Sequence, residues 1–265
     1  MCFSLAMVLS CCGMAASAEE RYLGVMLSTN VMSLDTNLAT DGESFEVIAD
    51  CIDGLMQMDA DGAAIPALAE SYDLSEDGKT YTFHLRDAKW SNGDAVTAAD
   101  FVFGWHRAVD PATASEYSYM LSDIGQIVNA AEIIAGEKPV TDLGVSAVDD
   151  KTLEVQLNVP VSYFLSLMYF PTFYPVNEAF YNSCADTFGT SPDTVLSNGA
   201  FKLTDYQPAA TAFTLEKNPD YYDADKIALD SLAYQVIKDS QQALMSYQTG
   251  ALDMTLLNGE QVDQV

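Results

Sequence analysis

The chain has 265 residues, with 11 Lys and Arg against 39 Asp and Glu, a formal charge of −28. No basic run exists to displace counterions from phosphates or to hold an anionic bilayer, which excludes nucleic-acid binding and polybasic membrane contact. The 49% hydrophobic and 11% aromatic content argues against disorder and supplies core for one or two domains, or for two lobes.

The N-terminus reads as a leader, residues 1–18. Phe3 to Cys12 is almost unbroken apolar sequence, too short to span a bilayer but the length of a signal-peptide h-region. Ala16-Ser17-Ala18 before Glu19 fits an A-x-A cleavage site. A second reading overlaps it: Val8-Leu9-Ser10-Cys11, or Leu9-Ser10-Cys11-Cys12, resembles the lipobox of bacterial lipoproteins, making Cys11 or Cys12 the lipidation candidate. Both readings stay open, and both imply export. Of the five cysteines, Cys51 and Cys184 alone lie in the body; two small buried thiols is the simplest reading, and a single bridge is the alternative.

Along the body, Tyr22 to Leu27 predicts a strand and Glu43 to Leu55 a helix, after the turn Asp41-Gly42. Asp61-Gly62 and Asp77-Gly78 predict hairpin turns, the second leading into the alternating strand Thr80 to Leu85. Thr97-Ala98-Ala99-Asp100 predicts a capping box, with Asp in place of Glu, on a helix reaching Val109. A helix over Ile124 to Ala135 follows, then a hairpin of Val145–Val148 with Leu153–Leu157, and a short buried helix over Val161 to Phe170. Beyond Pro175 the pattern predicts strands: Ala200–Tyr206 with Ala212–Lys217, then Leu232–Ile237, the helix Ser240–Gln248, and a strand over Leu252–Leu256. The irregular alternation points to mixed α/β architecture.

Enzymatic motifs are missing: no G-x-S-x-G, no H-E-x-x-H, no Walker loop and no dinucleotide fingerprint. His84 and His106 stand apart from any partner motif and read as surface or interfacial residues. Asp59-Ala60-Asp61-Gly62 lacks the remaining ligands of a calcium loop. The expectation is no catalytic residue, no metal and no cofactor. Tyr117 and Tyr119, in a loop after Asp110-Pro111, have the apolar ring and polar tip that suit a ligand pocket, or a half-buried surface.

Taken together, the ordered blocks resemble the extracytoplasmic solute-binding proteins of oligopeptide and dipeptide ABC transporters. They are Ser33-Leu34-Asp35, Ile65 to Tyr72, Tyr81 to Gly93, Thr97 to Trp105, Val109 to Ser115, Pro139 to Val145, Asn198 to Leu203, Asn218 to Asp223 and Gly250 to Met254. The resemblance covers Tyr22 to Val265 and implies a two-lobed periplasmic-binding-protein-like α/β fold. It implies a discontinuous first lobe over 19–52 and 174–265 and an inserted subdomain over 53–173. The second lobe, with the carboxylate that anchors the peptide's α-amino group, is expected beyond Val265.

The resemblance implies hinge closure on an extended peptide, with main-chain pairing as in strand addition. It maps ligand contacts to Thr40, Asp41 and Gly42, to Tyr117 or Tyr119, and to Leu256 or Leu257. At the last pair the oligopeptide pattern has asparagines; Thr36 likewise stands where proline is usual. Its implied partners are the peptide and the permease subunits of an ABC importer, with the protein a monomer, periplasmic or held at the cell surface by a lipid anchor. Other solutes on the same scaffold (a dipeptide, oligosaccharide, metal chelate or haem) and a peptide-sensing surface receptor are the alternatives.

Overall fold

Tyr81, Phe83 and Leu85 point inward while Thr80, Thr82 and His84 point outward, and this alternation organises the first sheet. The computed structural model describes residues 21–262; the leader, with Cys11 and Cys12, lies outside the described residues. Strands β1 (Tyr22–Leu27), β2 (Met56–Met58), β3 (Ala64–Pro66), β4 (Ala69–Leu74) and β5 (Thr80–Leu85) come first, with α1 (Gly42–Cys51) between β1 and β2. Then follow α2 (Ala98–Val109), α3 (Ala130–Ile134), β6 (Val145–Asp149), β7 (Thr152–Gln156), α4 (Phe164–Leu167) and α5 (Glu178–Cys184). The chain continues through β8 (Phe201–Leu203), β9 (Ala212–Lys217), β10 (Ser231–Val236) and α6 (Ser240–Gln248).

One sheet has the order β4-β5-β7-β6 and is antiparallel throughout; β2 and β3 form a separate hairpin. The other, in the order β1-β10-β9-β8, is mixed, because β1 runs parallel to β10 with Tyr22 opposite Ser231 and Leu27 opposite Val236. One contiguous core lies under both sheets, joining Val25, Leu27, Leu232 and Tyr234 to Phe83, Leu153, Phe101, Trp105 and Phe164. Burying each such side chain contributes about 1.5–3 kcal/mol. On the far face of the mixed sheet Met26 and Ile237 pack on Ala243 of α6 and on Leu252.

Local chemistry explains the boundaries. Gly62 and Gly78 take φ of 82° and 70°, as the two hairpin turns require. Asp100 Oδ2 accepts from the Thr97 N–H at 2.9 Å, the carboxylate half of the expected box, while the Thr97 hydroxyl donates to the same oxygen at 3.3 Å. Gly250, at φ 77°, closes α6.

Four expectations change. The helix over Ile124–Ala135 breaks into a π-turn at Met120–Ile124 and the short α3, because Gln126 and Asn129 adopt φ of 56° and 66° and Ile127 bridges to Leu157. Between Pro160 and Pro171 only Phe164–Leu167 is α-helical. The strand over Leu252–Leu256 reduces to a single bridge from Met254 to Val25: Asp253 Oδ2 takes the Gly24 N–H at 2.7 Å, so a side chain replaces the ladder. Beyond Pro175 a helix, α5, stands where strands were expected, capped by Asn177 Oδ1 accepting from the Phe180 N–H. Cys51 and Cys184 are both free thiols; burial raises the Cys51 thiol above its ordinary range. Among the described residues no helix is long and apolar enough to cross a membrane.

Candidate functional site

The site begins where β1 runs out and α1 begins. Asp41 caps α1: its two carboxylate oxygens accept from the Ser44 N–H at 2.8 Å and the Ser44 hydroxyl at 2.7 Å. Ser44 Oγ in turn accepts from the N–H groups of Met32 and Ser33, fastening the incoming chain to the helix start. Thr40 and Gly42 remain exposed at this edge. Glu43 accepts from the Ser28 hydroxyl, and that bond holds its carboxyl below the usual range, so an anion sits in the first turn.

One turn along α1, Phe45 meets Tyr117 edge-on with centroids 5.5 Å apart, and Phe170 at 5.1 Å. Tyr117 lies 5.2 Å from Phe170 and stacks on Tyr119 at 5.8 Å and 28°. Tyr117 is thus inside the aromatic group, and Tyr119, 43% exposed, is its outer face. The loop that presents them is shaped by Asp110 Oδ1 accepting from the Ala112 N–H at 2.9 Å, by Ala114 at φ 55°, and by the π-turn that follows. The structure therefore brings Thr40–Gly42 and the tyrosines together, through Phe45. Phe45 and Phe170 were not among the expected site residues; their helical and apolar spacing marks only a core face.

Leu256 and Leu257 follow the Met254 bridge along β1 and are 73% and 38% exposed. Their tie to Thr40–Gly42 runs through β1: the Thr255 hydroxyl lies against Met26 Sδ, and two residues on Ser28 meets Glu43. Leu257 also lines a surface cavity of ≈310 Å³ with Tyr247, Asp253, Met254 and Thr255. Asn258, next in the chain, is committed to its own turn: Nδ2 donates to Ser240 Oγ, and Oδ1 accepts from the N–H groups of Glu260 and Gln261.

Several residues of the recognisable blocks are committed to internal ties. Asp35 pairs with Arg107 inside the protein. Asn198 and Gly199 donate their N–H groups to the Cys51 carbonyl, and a Cβ on Gly199 would stand 2.8 Å from the Cys51 carbonyl carbon. Ser91 and Ser197 exchange backbone and side-chain bonds between the two halves of the fold. His84 Nε2 pairs with Asp73 at 2.8 Å on the outer sheet face, and His106 Nε2 has no hydrogen-bond partner.

The model of the family described as bacterial extracellular solute-binding proteins, family 5 (middle part), matches residues 63–265. The chain belongs to this family. It is 38% identical over 255 residues to the dipeptide-binding protein of Lactococcus lactis subsp. cremoris, covering 95% of this chain and 46% of that one. It is 40% identical over 239 residues to the periplasmic oligopeptide-binding protein OppA of Escherichia coli K12, covering 90% and 43%. Among solved structures, Listeria monocytogenes OppA bound to peptide superposes with a TM-score of 0.87 at 40% identity, over 92% of this chain and 48% of that chain. The chain thus spans just under half the length of the relatives it matches. Within this family-5 chain, the α/β fold is that of the peptide-binding relatives.

Proposed function

We propose that this chain furnishes one wall of an extracytoplasmic receptor that captures oligopeptides for an ABC importer. The observation that carries the reading is the stacked Tyr117–Tyr119 pair, presented by its loop beside the exposed start of α1. An extended ligand along this edge meets exposed chain at Thr40 and Gly42, a ring with a polar tip at Tyr119, and an apolar rim at Leu256 and Leu257. Such a wall binds main chain without reading most side chains, which suits a receptor for many peptides. The apolar rim at Leu256 and Leu257 favours ligands with a bulky apolar side chain at that end.

The same reading divides the chain into a lobe of 19–52 and 174–265 and an inserted subdomain of 53–173; the separate parentage of the two large sheets supports it. It also takes residues 1–18 as an export leader, with lipidation at Cys11 or Cys12 as the anchor, on the apolar stretch and small-residue pattern alone. Permease subunits are the proposed protein partner, and the receptor acts as a monomer without cofactor, metal or catalysis.

Native mass spectrometry of the protein after incubation with a mixed pool of short peptides tests the reading. A ladder of peptide adducts, with every peptide in the pool left intact, is the expected result. One non-peptide mass in place of the ladder, or progressive cleavage of the pool, overturns it.

A further inference from the structure

Phe45 lies one turn into α1, and its N–H donates to the Asp41 carbonyl at 3.1 Å, the first bond of the helix. The helix therefore fixes the root of the Phe45 ring relative to the exposed edge at Thr40 and Gly42. Tyr117 and Phe170 reach that ring from the proposed inserted subdomain. The three half-buried rings form a triangle with centroid separations of 5.1, 5.2 and 5.5 Å, and none of the three pairs is parallel. Tyr119 stands outside this triangle: its one ring contact among the described residues is with Tyr117. Main-chain bonds hold the loop on either side, the Tyr117 carbonyl accepting from the Met120 N–H at 2.9 Å where the π-turn begins.

We propose that Phe45 is a positioning residue for Tyr119: fixed by α1, it wedges Tyr117 against Phe170, and the wedged ring sets the face on which Tyr119 stacks. The start of α1 and the Tyr119 ring then keep one spacing, although they come from separate segments of the chain. This inference rests on the reading of Tyr119 as a ligand contact. Phe45 itself touches Tyr117 and Phe170, so its influence on the ligand passes through the Tyr117 ring. Leucine at position 45 fills much of the same space but cannot meet Tyr117 edge-on. Tyr117 then tilts into the space left beside it and carries the Tyr119 ring away from the α1 edge.

A double-mutant cycle of Phe45→Leu with Tyr119→Ala, read as the affinity for the peptide Ala-Ala-Leu-Ala-Ala by calorimetry, tests the coupling. Tyr119→Ala is expected to weaken binding about 2–10-fold in the wild type and less than about 2-fold in Phe45→Leu. Phe45→Tyr keeps the ring and should restore the full loss. Phe213→Leu removes a ring stacked on Tyr234 in the mixed sheet and should leave the Tyr119 effect at its wild-type size. Equal losses in the wild type and Phe45→Leu overturn the positioning role, as does an equal shrinkage in Phe213→Leu. A second readout needs no ligand: in fluorotyrosine-labelled protein, Phe45→Leu should displace the Tyr119 fluorine resonance and leave that of Tyr22 in place. An unmoved Tyr119 resonance overturns the proposal. Should Tyr119→Ala leave wild-type affinity unchanged, the ligand reading falls, and the resonance alone decides whether Phe45 sets the ring.

Discussion

Arg107 and Asp35 form a two-pronged ion pair inside the protein, Nη1 to Oδ1 at 3.1 Å and Nη2 to Oδ2 at 2.7 Å. Arg107 Nη1 also donates to Asn37 Oδ1 at 2.9 Å, and the guanidinium lies 4.0 Å from the Tyr181 ring centroid. This pair fastens the Ser33-Leu34-Asp35 turn to α2 and, through α2, to the loop that carries the tyrosines. Removing one partner leaves a buried charge alone, which costs more than the pair contributes. Asp35→Ala is expected to lower unfolding stability by about 3–5 kcal/mol in urea titration. A loss below about 1 kcal/mol would show that the pair is not what holds the turn.

Stability should rise on mild acidification. Asp50 donates nothing and accepts from the Tyr234 hydroxyl at 2.5 Å; burial dominates and lifts it, like Asp53, from 3.8 to about 6. Both folded values lie above the unfolded ones. The folded state therefore keeps protons that the unfolded chain releases, and stability is lost as pH rises through about 6. Each group costs on the order of 2–3 kcal/mol at pH 7.5 relative to its neutral form. The thermal midpoint should be higher at pH 5 than at pH 7.5, and Asp50→Asn should narrow the gap. A midpoint that falls between pH 7.5 and pH 5 contradicts this.

Gly54 is a point of close approach. A Cβ there would stand 2.2 Å from the Met168 carbonyl oxygen and 2.8 Å from the Tyr174 ring, so backbone must give way. Gly54→Ala should cost about 3 kcal/mol, read by the urea midpoint. Gly42→Ala, with nothing within 4 Å, is expected to cost under about 0.5 kcal/mol, and serves as the control.

The two tyrosines should separate stability from binding. Tyr117 packs between Phe45, Phe170 and Tyr119, so Tyr117→Ala should destabilise by about 2–4 kcal/mol. Tyr119 is the exposed member, and Tyr119→Ala should cost under about 1 kcal/mol yet weaken peptide adducts severalfold. Equal destabilisation by the two would refute the assignment of inner and outer roles.

Regular periodicity made much of the fold legible. Alternation in Thr80–Leu85 and the Asp100 capping signal correspond to β5 and α2, and Ser240–Gln248 matches α6 end to end. The failures have local causes. Left-handed Gln126 and Asn129 carry no sequence signal strong enough to break an apolar helical pattern, and Asp253 looks like any strand residue until its carboxylate takes the Gly24 N–H. At the proposed site, the tyrosine pattern singled out one loop, and which ring faces outward depends on Phe45 and Phe170, which come from distant parts of the chain. Contacts between such segments leave no periodicity to read. The blocks that carry the family resemblance were the clearest signals.

The central claim, that ligand lies along the edge formed by Thr40–Gly42 and Tyr119, is most directly tested by fluorine NMR of fluorotyrosine-labelled protein titrated with a short peptide. The Tyr119 resonance should shift saturably while those of Tyr22 and Tyr72, exposed elsewhere in the chain, stay in place. A Tyr119 signal unmoved at millimolar peptide, or one that moves no more than Tyr22 and Tyr72, would contradict the account.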